Sequence, residues 1–292
     1  MSDSPVIGLL HPGEMGAAVA QCLTGQGYQV LWASDGRSEQ TATRATAAGL
    51  TDGRTPREVA SRAGVILSIC PPHSALDVAW AVHGFTGLYL DANAIAPATA
   101  REVAKLITDN GGSYVDGGIV GMPPAPGGGT RMYLSGEAAP DIAALFAGTA
   151  LETPVMAGPA TAASAMKMAY AAWTKGTAAM LLAIRAMARS EGVEEDLLAE
   201  WARSQPELLP QSHRAARSAV TKGWRWVGEM EEIAQSMDSA GLPDGFHQAA
   251  AEIYRRSPRL PAAATGPELT ADVLDALTGS PARPLPASRS ER

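Results

Sequence analysis

Cysteine is scarce in this 292-residue chain: Cys22 and Cys70 are the only two, and neither lies in a C-x-x-C or histidine-rich setting. A disulfide framework and a cysteine-ligated metal centre are thereby excluded as organising features, and no metal is expected. Basic blocks are missing as well, and the formal net charge is −7, so the electrostatic footprint of a nucleic-acid binder is absent. No run approaches about 18 uninterrupted apolar residues, the length a membrane-spanning helix requires. Ser2 to Ser4 do not make the charged start of a signal peptide, which places the expected location in the cytoplasm. A hydrophobic fraction of 46% beside 18% charged residues is that of a soluble globular protein with a substantial core.

Against these absences stands one organised stretch, Val6-Ile7-Gly8-Leu9-Leu10-His11-Pro12-Gly13-Glu14-Met15-Gly16. An apolar run from Pro5 to Leu10 stops at a turn, and Gly16 to Cys22 reads as a small-residue helix. A helix start leaves N–H groups unpaired and carries partial positive charge, which makes it a seat for a pyrophosphate. The G-x-G-x-x-G fingerprint would need glycine where this chain has His11, so the motif alone does not distinguish a dinucleotide site from an ordinary strand-helix turn. A second apolar run, Tyr28 to Ala33, follows at βαβ spacing. Further runs at Gly64 to Ile69, Gly87 to Leu90, Ser113 to Val115 and Met132 to Leu134 alternate with helical patterns. The predicted fold class is therefore α/β, a Rossmann-type doubly wound parallel sheet over residues 1–158. An all-helical C-terminal domain is expected over 159–278 and a disordered tail, rich in Pro, Ser and Arg, over 279–292.

Ligands in such sheets bind outside the carboxyl ends of the strands, so the residues after each run are the candidates. Leu10, His11, Pro12, Gly13, Glu14 and Met15 form the first turn. Ser34-Asp35-Gly36-Arg37-Ser38 follows the second run. An acidic residue here suits the ribose hydroxyls of NAD, and an arginine suits the 2′-phosphate of NADP. Arg37 with Ser34, Ser38 and Arg44 favours NADP(H) over NAD(H), with Asp35 left to cap the next helix. Cys70-Pro71-Pro72 and Asn93 follow the third and fourth runs, and either segment could be a purely structural turn. Asp116 to Pro124 reads as an unusual glycine-bearing loop. Its Gly117, Gly118 and Val120 suit either close backbone approach to a substrate or a bulge.

From Thr161 to Ser190 an Ala- and Met-rich pattern without proline predicts a helix about 45 Å long at 1.5 Å per residue. Ser164, Lys167, Ala171 and Thr174 share one face, flanked by Tyr170 and Lys175. A buried Lys167 would be suited to proton transfer, and a snorkelling one to solvent contact. Helical patterns continue from Glu191 to Leu260. Within them Trp224 and Glu229 fall in a tryptophan-rich stretch that reads as core or as a pocket wall. A short helix is expected over Ala271 to Leu277.

Taken together, residues 5 to about 260 resemble the β-hydroxyacid dehydrogenase superfamily, which includes 6-phosphogluconate dehydrogenase and the imine reductases. The likeness is carried by Gly13-Glu14-Met15-Gly16, by Asp91-Ala92-Asn93-Ala94-Ile95-Ala96-Pro97, by Asp116 to Met122, and by Ser164 to Lys175 with Lys167. It implies NADP at Arg37, Lys167 as proton donor assisted by Tyr170, and a substrate wall of Gly117, Gly118 and Val120 facing Trp173, Lys175, Trp224 and Glu229. It also implies a homodimer with shared active sites. Two departures bear on the substrate. Val120 stands where the hydroxyacid dehydrogenases carry serine, and Ala171 where they carry asparagine, so an apolar small molecule is expected. The implied reaction is hydride transfer from NADPH to a C=N or C=O carbon. A 3-hydroxyacid dehydrogenase using NAD(P), its substrate held by loop amides and Lys175, and a non-catalytic nucleotide-binding protein are the alternatives.

Overall fold

The computed structural model describes residues 4–260 and 268–279. They form two compact units, residues 4–170 with 235–241, and residues 171–234 with 242–260 and 268–279.

The first unit is built on one eight-stranded sheet: β1 Ile7–Leu9, β2 Val30–Trp32, β3 Thr51–Asp52, β4 Val65–Ser68, β5 Leu88–Asp91, β6 Ser113–Val120, β7 Thr130–Ser135 and β8 Leu151–Glu152. The spatial order is β3-β2-β1-β4-β5-β6-β7-β8, so the chain reverses direction across the sheet between β1 and β4, where a doubly wound fold opens its ligand crevice. Strands β1 to β6 run parallel, in a register that sets Ile7 between Val30 and Val65. Apart from the edge strand β3, whose two residues are exposed, these strands are largely buried on both faces, as helix-covered parallel strands must be. Alternate residues feed two apolar layers. Leu67, Leu90 and Val115 join Val19, Leu23 and Phe146 on one face. Ile66, Tyr89 and Tyr114 join Val59, Val103 and Ile107 on the other.

The helices of this unit are α1 Glu14–Gly25, α2 Glu39–Ala47, α3 Pro56–Arg62, α4 Ala75–Trp80, α5 Pro97–Asp109, α6 Ala139–Leu145 and α7 Ala162–Ala171. Their starts follow local chemistry. Thr55 and Glu58 close a reciprocal capping box on α3, with Pro56 in the first turn. Ser38 caps α2 by accepting from the Thr41 N–H. Asp35 does not cap α2, because three residues separate it from the helix start.

Several elements differ from the sequence reading. The sheet is not wholly parallel: β7 runs antiparallel to β6, with Asp116 opposite Ser135 and Gly118 opposite Tyr133. That pairing extends β6 through Gly117, Gly118 and Val120, so these residues lie in a buried strand rather than a loop. Strands β3 and β8 have two residues each, too short to show a periodic pattern.

The helix expected over Thr161 to Ser190 forms as three consecutive pieces. After α7 comes a π-helical turn, Ala172–Gly176, and then α8 Thr177–Ser190. The remaining helices are α9 Glu194–Ser204, α10 Leu208–Ser239, α11 Gly245–Arg256 and α12 Glu268–Thr278. The Trp224 to Glu232 stretch falls inside α10. The second unit contains a buried ionic network in which Arg185 donates to Glu194 at 2.7 Å and to Ser212 at 2.9 Å. The tail expected from 279 lies, from residue 280, outside the described residues.

Candidate functional site

The cofactor turn is built as a strand-to-helix junction. Helix α1 starts at Glu14 after extended Gly13, which has no side chain to cap it, at the positive end of the helix. Gly16 is required by packing: a Cβ there would lie 2.3 Å from the His11 carbonyl oxygen. At Gly13 a Cβ would meet nothing within 4 Å, which leaves room for a ligand against the helix start.

Two arginines fold back onto this turn. Arg37 donates from Nη1 to His11 Nε2 at 2.7 Å and from Nη2 to the Leu10 carbonyl at 3.2 Å. Arg44 donates to the Pro12 carbonyl at 3.2 Å. The turn that carries Arg37 is closed by its N–H on the Ser34 carbonyl at 3.1 Å, with Gly36 at φ +69°, a conformation that favours glycine. Beside these groups opens a cleft of about 180 Å³. Leu10, Pro56 and Val78 supply apolar walls, and His11, Arg37 and Asp77 supply polar groups. His11 Nδ1 and Arg37 Nε are buried there without a hydrogen-bond partner in the structure. Apolar walls beside the Arg37 guanidinium suit the adenosine end of a dinucleotide that carries a phosphate.

The Asn93 side chain is used within the protein. Its Oδ1 accepts from the Cys70 N–H at 2.6 Å, and its Nδ2 donates to Ser68 at 3.0 Å. This ties the ends of β4 and β5 together and sets the Cys70-Pro71-Pro72 backbone. Burial pushes the Cys70 thiol up to about 12, with the Asp91 charge adding to the shift.

Lys167 is half-buried on α7 and donates to the Ile119 carbonyl on β6 at 2.8 Å. The helix is held over that strand by Asp116, whose carboxylate accepts from the Ser164 N–H at 2.7 Å, the Ser164 hydroxyl at 2.5 Å and the Ser135 hydroxyl at 3.2 Å. Burial holds the Asp116 carboxyl above its ordinary range, against the lowering effect of these donors. Gly118 lets the helix approach: a Cβ there would lie 2.7 Å from the Ala163 carbonyl and 3.0 Å from Lys167 Cβ. The glycine therefore serves α7 packing, a requirement set 45 residues away. Tyr170, one turn after Lys167, is 46% exposed.

The remaining predicted residues belong to the second unit. Lys175, in the π-helical turn, forms an ion pair with Glu229 of α10, and its ammonium lies 5.2 Å from the Trp226 ring centroid. The Lys175 carbonyl accepts from the Tyr254 hydroxyl at 2.6 Å. Trp173 and Trp224 are largely exposed, and Trp224 stacks with the Arg225 and Arg259 guanidinium groups rather than entering the core. Trp226, inside the tryptophan-rich stretch, packs edge to face with Tyr254 at 5.1 Å. Tyr254 and Asp77 lie in no sequence motif, and nothing local marks them. Among the described residues there is no His/Cys/Asp/Glu group able to hold a metal ion, and no helix is long and apolar enough to cross a membrane.

The fold and this crevice are those of a nicotinamide-dinucleotide-binding Rossmann domain followed by a helical C-terminal region. Residues 5–145 match the NAD binding domain of 6-phosphogluconate dehydrogenase, and residues 188–257 match a domain of unknown function, DUF1932. Over these matched residues the chain is similar to the β-hydroxyacid dehydrogenase-like superfamily. It is 28% identical over 194 residues to an uncharacterized 28.5 kDa protein of Methanothermus fervidus, covering 66% of this chain and 74% of that one. Two solved structures share the fold. One is a 3-hydroxyisobutyrate dehydrogenase from Salmonella typhimurium, with TM-score 0.66 and 16% identity over 86% of this chain and 93% of that one. The other is a reductive aminase from Aspergillus terreus in complex with NADPH and ethyl levulinate, with TM-score 0.55 and 20% identity over 87% and 93%.

Proposed function

We propose that this protein is an NADPH-dependent reductase that places hydride on a C=N or C=O carbon of an apolar small molecule, with Lys167 as the proton donor. The observation that carries the reading is the Lys167 amine, half-buried and tethered to the Ile119 carbonyl on β6, on the sheet that also bears the Arg37 cleft. The reduced nicotinamide supplies the hydride. The chain supplies the rest. Arg37, with Arg44 nearby, favours a phosphate-bearing ribose, and the start of α1 takes the pyrophosphate. Lys167 holds a proton for the heteroatom that gains negative charge, and its tether limits the positions that proton can take.

Val120 is buried and offers no hydroxyl, which supports an apolar substrate over a carboxylate-bearing one. The fold is shared with both the reductive aminase and the 3-hydroxyisobutyrate dehydrogenase, which keeps both the C=N and the C=O branch in the proposal. The 3-hydroxyacid dehydrogenase reading would draw on Lys175 to hold a carboxylate, and its pairing with Glu229 weighs against that use. A homodimer in the cytoplasm completes the proposal, with sedimentation at micromolar concentration as the check on the dimer.

The test is NADPH oxidation over a panel of cyclic imines and ketones with the wild type and Lys167→Met. Turnover lost by about 100-fold or more in the variant supports the assignment, and unchanged turnover removes Lys167 from the mechanism. Tight NADPH binding with no turnover of any imine, ketone or 3-hydroxy acid would favour the non-catalytic reading.

A further inference from the structure

In the dinucleotide fingerprint the position of His11 belongs to glycine, and the structure shows what the imidazole does in its place. Its Nε2 lies 2.7 Å from Arg37 Nη1. A guanidinium only donates, so the ring nitrogen facing it carries the lone pair and the proton is on Nδ1. His11 is thus neutral in this arrangement. Burial and the Arg37 charge both press its pKa down, to about 4, so this tautomer persists across the neutral range. The second Arg37 amino group is held by the Leu10 carbonyl. The guanidinium is therefore fixed at two points on the cofactor turn, and its orphaned Nε and the orphaned His11 Nδ1 are both buried.

An arginine on a surface turn ordinarily samples many rotamers, and a ligand that needs it must restrict them on binding. Here the restriction is already met by a partner 26 residues earlier in the chain. Glycine at position 11 could offer no such acceptor. The groups facing the pair are Arg44, on the neighbouring Pro12 carbonyl, and Asp77 on the cleft wall.

We propose that His11 is a positioning residue for cofactor selectivity: it fixes the Arg37 guanidinium so that a ribose bearing a 2′-phosphate is preferred over one bearing a free hydroxyl. The proposal rests on reading the cleft as the adenosine end of the cofactor site. It makes the departure from the glycine fingerprint a gain in discrimination rather than a sign of lost binding.

The test is calorimetric titration of the full-length protein with NADP+ and with NAD+, for wild type, His11→Leu and His11→Gln. Leucine fills the space without an acceptor, whereas the glutamine amide oxygen can take the Arg37 hydrogen bond. His11→Leu is expected to lower the NADP+ to NAD+ affinity ratio about tenfold, equivalent to about 1.4 kcal/mol, with NADP+ affinity falling more than NAD+ affinity. His11→Gln is expected to keep most of the ratio. Parallel weakening of both cofactors, or failure of glutamine to rescue, would overturn the role and leave His11 as a shaper of the pyrophosphate turn. If His11→Leu does not fold, His11→Asn, too short to reach Arg37, is read in its place with the same expected loss. Wild type that binds NAD+ alone would overturn the selectivity proposal while sparing the cofactor site, whereas wild type that binds neither would overturn both.

Discussion

The Asp116 carboxylate takes two hydrogen bonds from Ser164, one from the backbone N–H and one from the hydroxyl, across 48 residues of sequence. A strand carboxylate thereby closes the first turn of α7, the helix that presents Lys167. Capping by a charged acceptor near a helix start is favourable, and here the cap also fixes which residue of the helix reaches the Ile119 carbonyl.

Asp116→Ala removes this acceptor and strands buried donors of Ser164 and Ser135. We expect a loss of about 3 kcal/mol in unfolding free energy, read from the denaturant midpoint at unchanged slope. Asp116→Asn keeps an acceptor for the N–H and should cost less. Because burial raises the folded pKa of Asp116 above its unfolded value, the folded state binds this proton more tightly. The Asp116 contribution should therefore be fully present at low pH and be lost as pH rises through the raised value, a trend that Asp116→Asn abolishes. The same sign in wild type and the Asn variant would contradict this.

How much of this was legible in the sequence depends on how far apart the cooperating residues lie. The β1 turn and α1 declare themselves locally, because an apolar run, a glycine turn and a small-residue helix are contiguous. So does Lys167, on a helix face readable from its own spacing. Gly117 and Gly118 read locally as loop because glycine is ordinarily a strand breaker. The reason for Gly118 is the closeness of Ala163, which no local pattern encodes. His11 to Arg37 and Lys175 to Glu229 are likewise pairings across 26 and 54 residues. The π-helical turn at Ala172–Gly176 has no composition signal, since its residues are compatible with an α-helix.

Two glycines should separate packing from binding. Gly118→Ala puts a methyl group 2.7 Å from the Ala163 carbonyl, so α7 must shift, at about 1 to 3 kcal/mol of stability. The shift moves Lys167, and turnover should fall more than cofactor affinity. Gly13→Ala meets nothing within 4 Å, so its stability should stay within about 0.5 kcal/mol of wild type. The added methyl occupies the space before α1, and NADP+ affinity should drop. Thermal melts with calorimetry on both variants give the comparison; equal effects on both readouts would contradict it.

The two thiols should be poor nucleophiles in the native protein. Burial raises both, and Cys70 lies near 12, so little thiolate exists at pH 8. A disulfide-exchange reagent should modify both thiols slowly in the native protein, because they are partly exposed yet protonated, and promptly in denaturant. Native labelling of Cys70 as fast as in denaturant would contradict the raised pKa.

The Lys175–Glu229 pair has side chains about 15% and 14% exposed, which makes its two halves unequal in what their loss leaves behind. Glu229→Gln leaves an ammonium with reduced solvation beside Trp226, and a loss of about 3 kcal/mol is expected. The double replacement Lys175→Met with Glu229→Leu removes both charges, and the neutral pair should recover most of that loss. Lys175→Met alone leaves a half-buried carboxylate and should also destabilise. A double-mutant cycle by denaturant unfolding measures the coupling. Coupling well above 1 kcal/mol would mark a pair that fixes the π-helical turn against α10. Coupling near zero would mean that the turn is held instead by the Tyr254 hydroxyl on the Lys175 carbonyl, and Tyr254→Phe would then be the more damaging change.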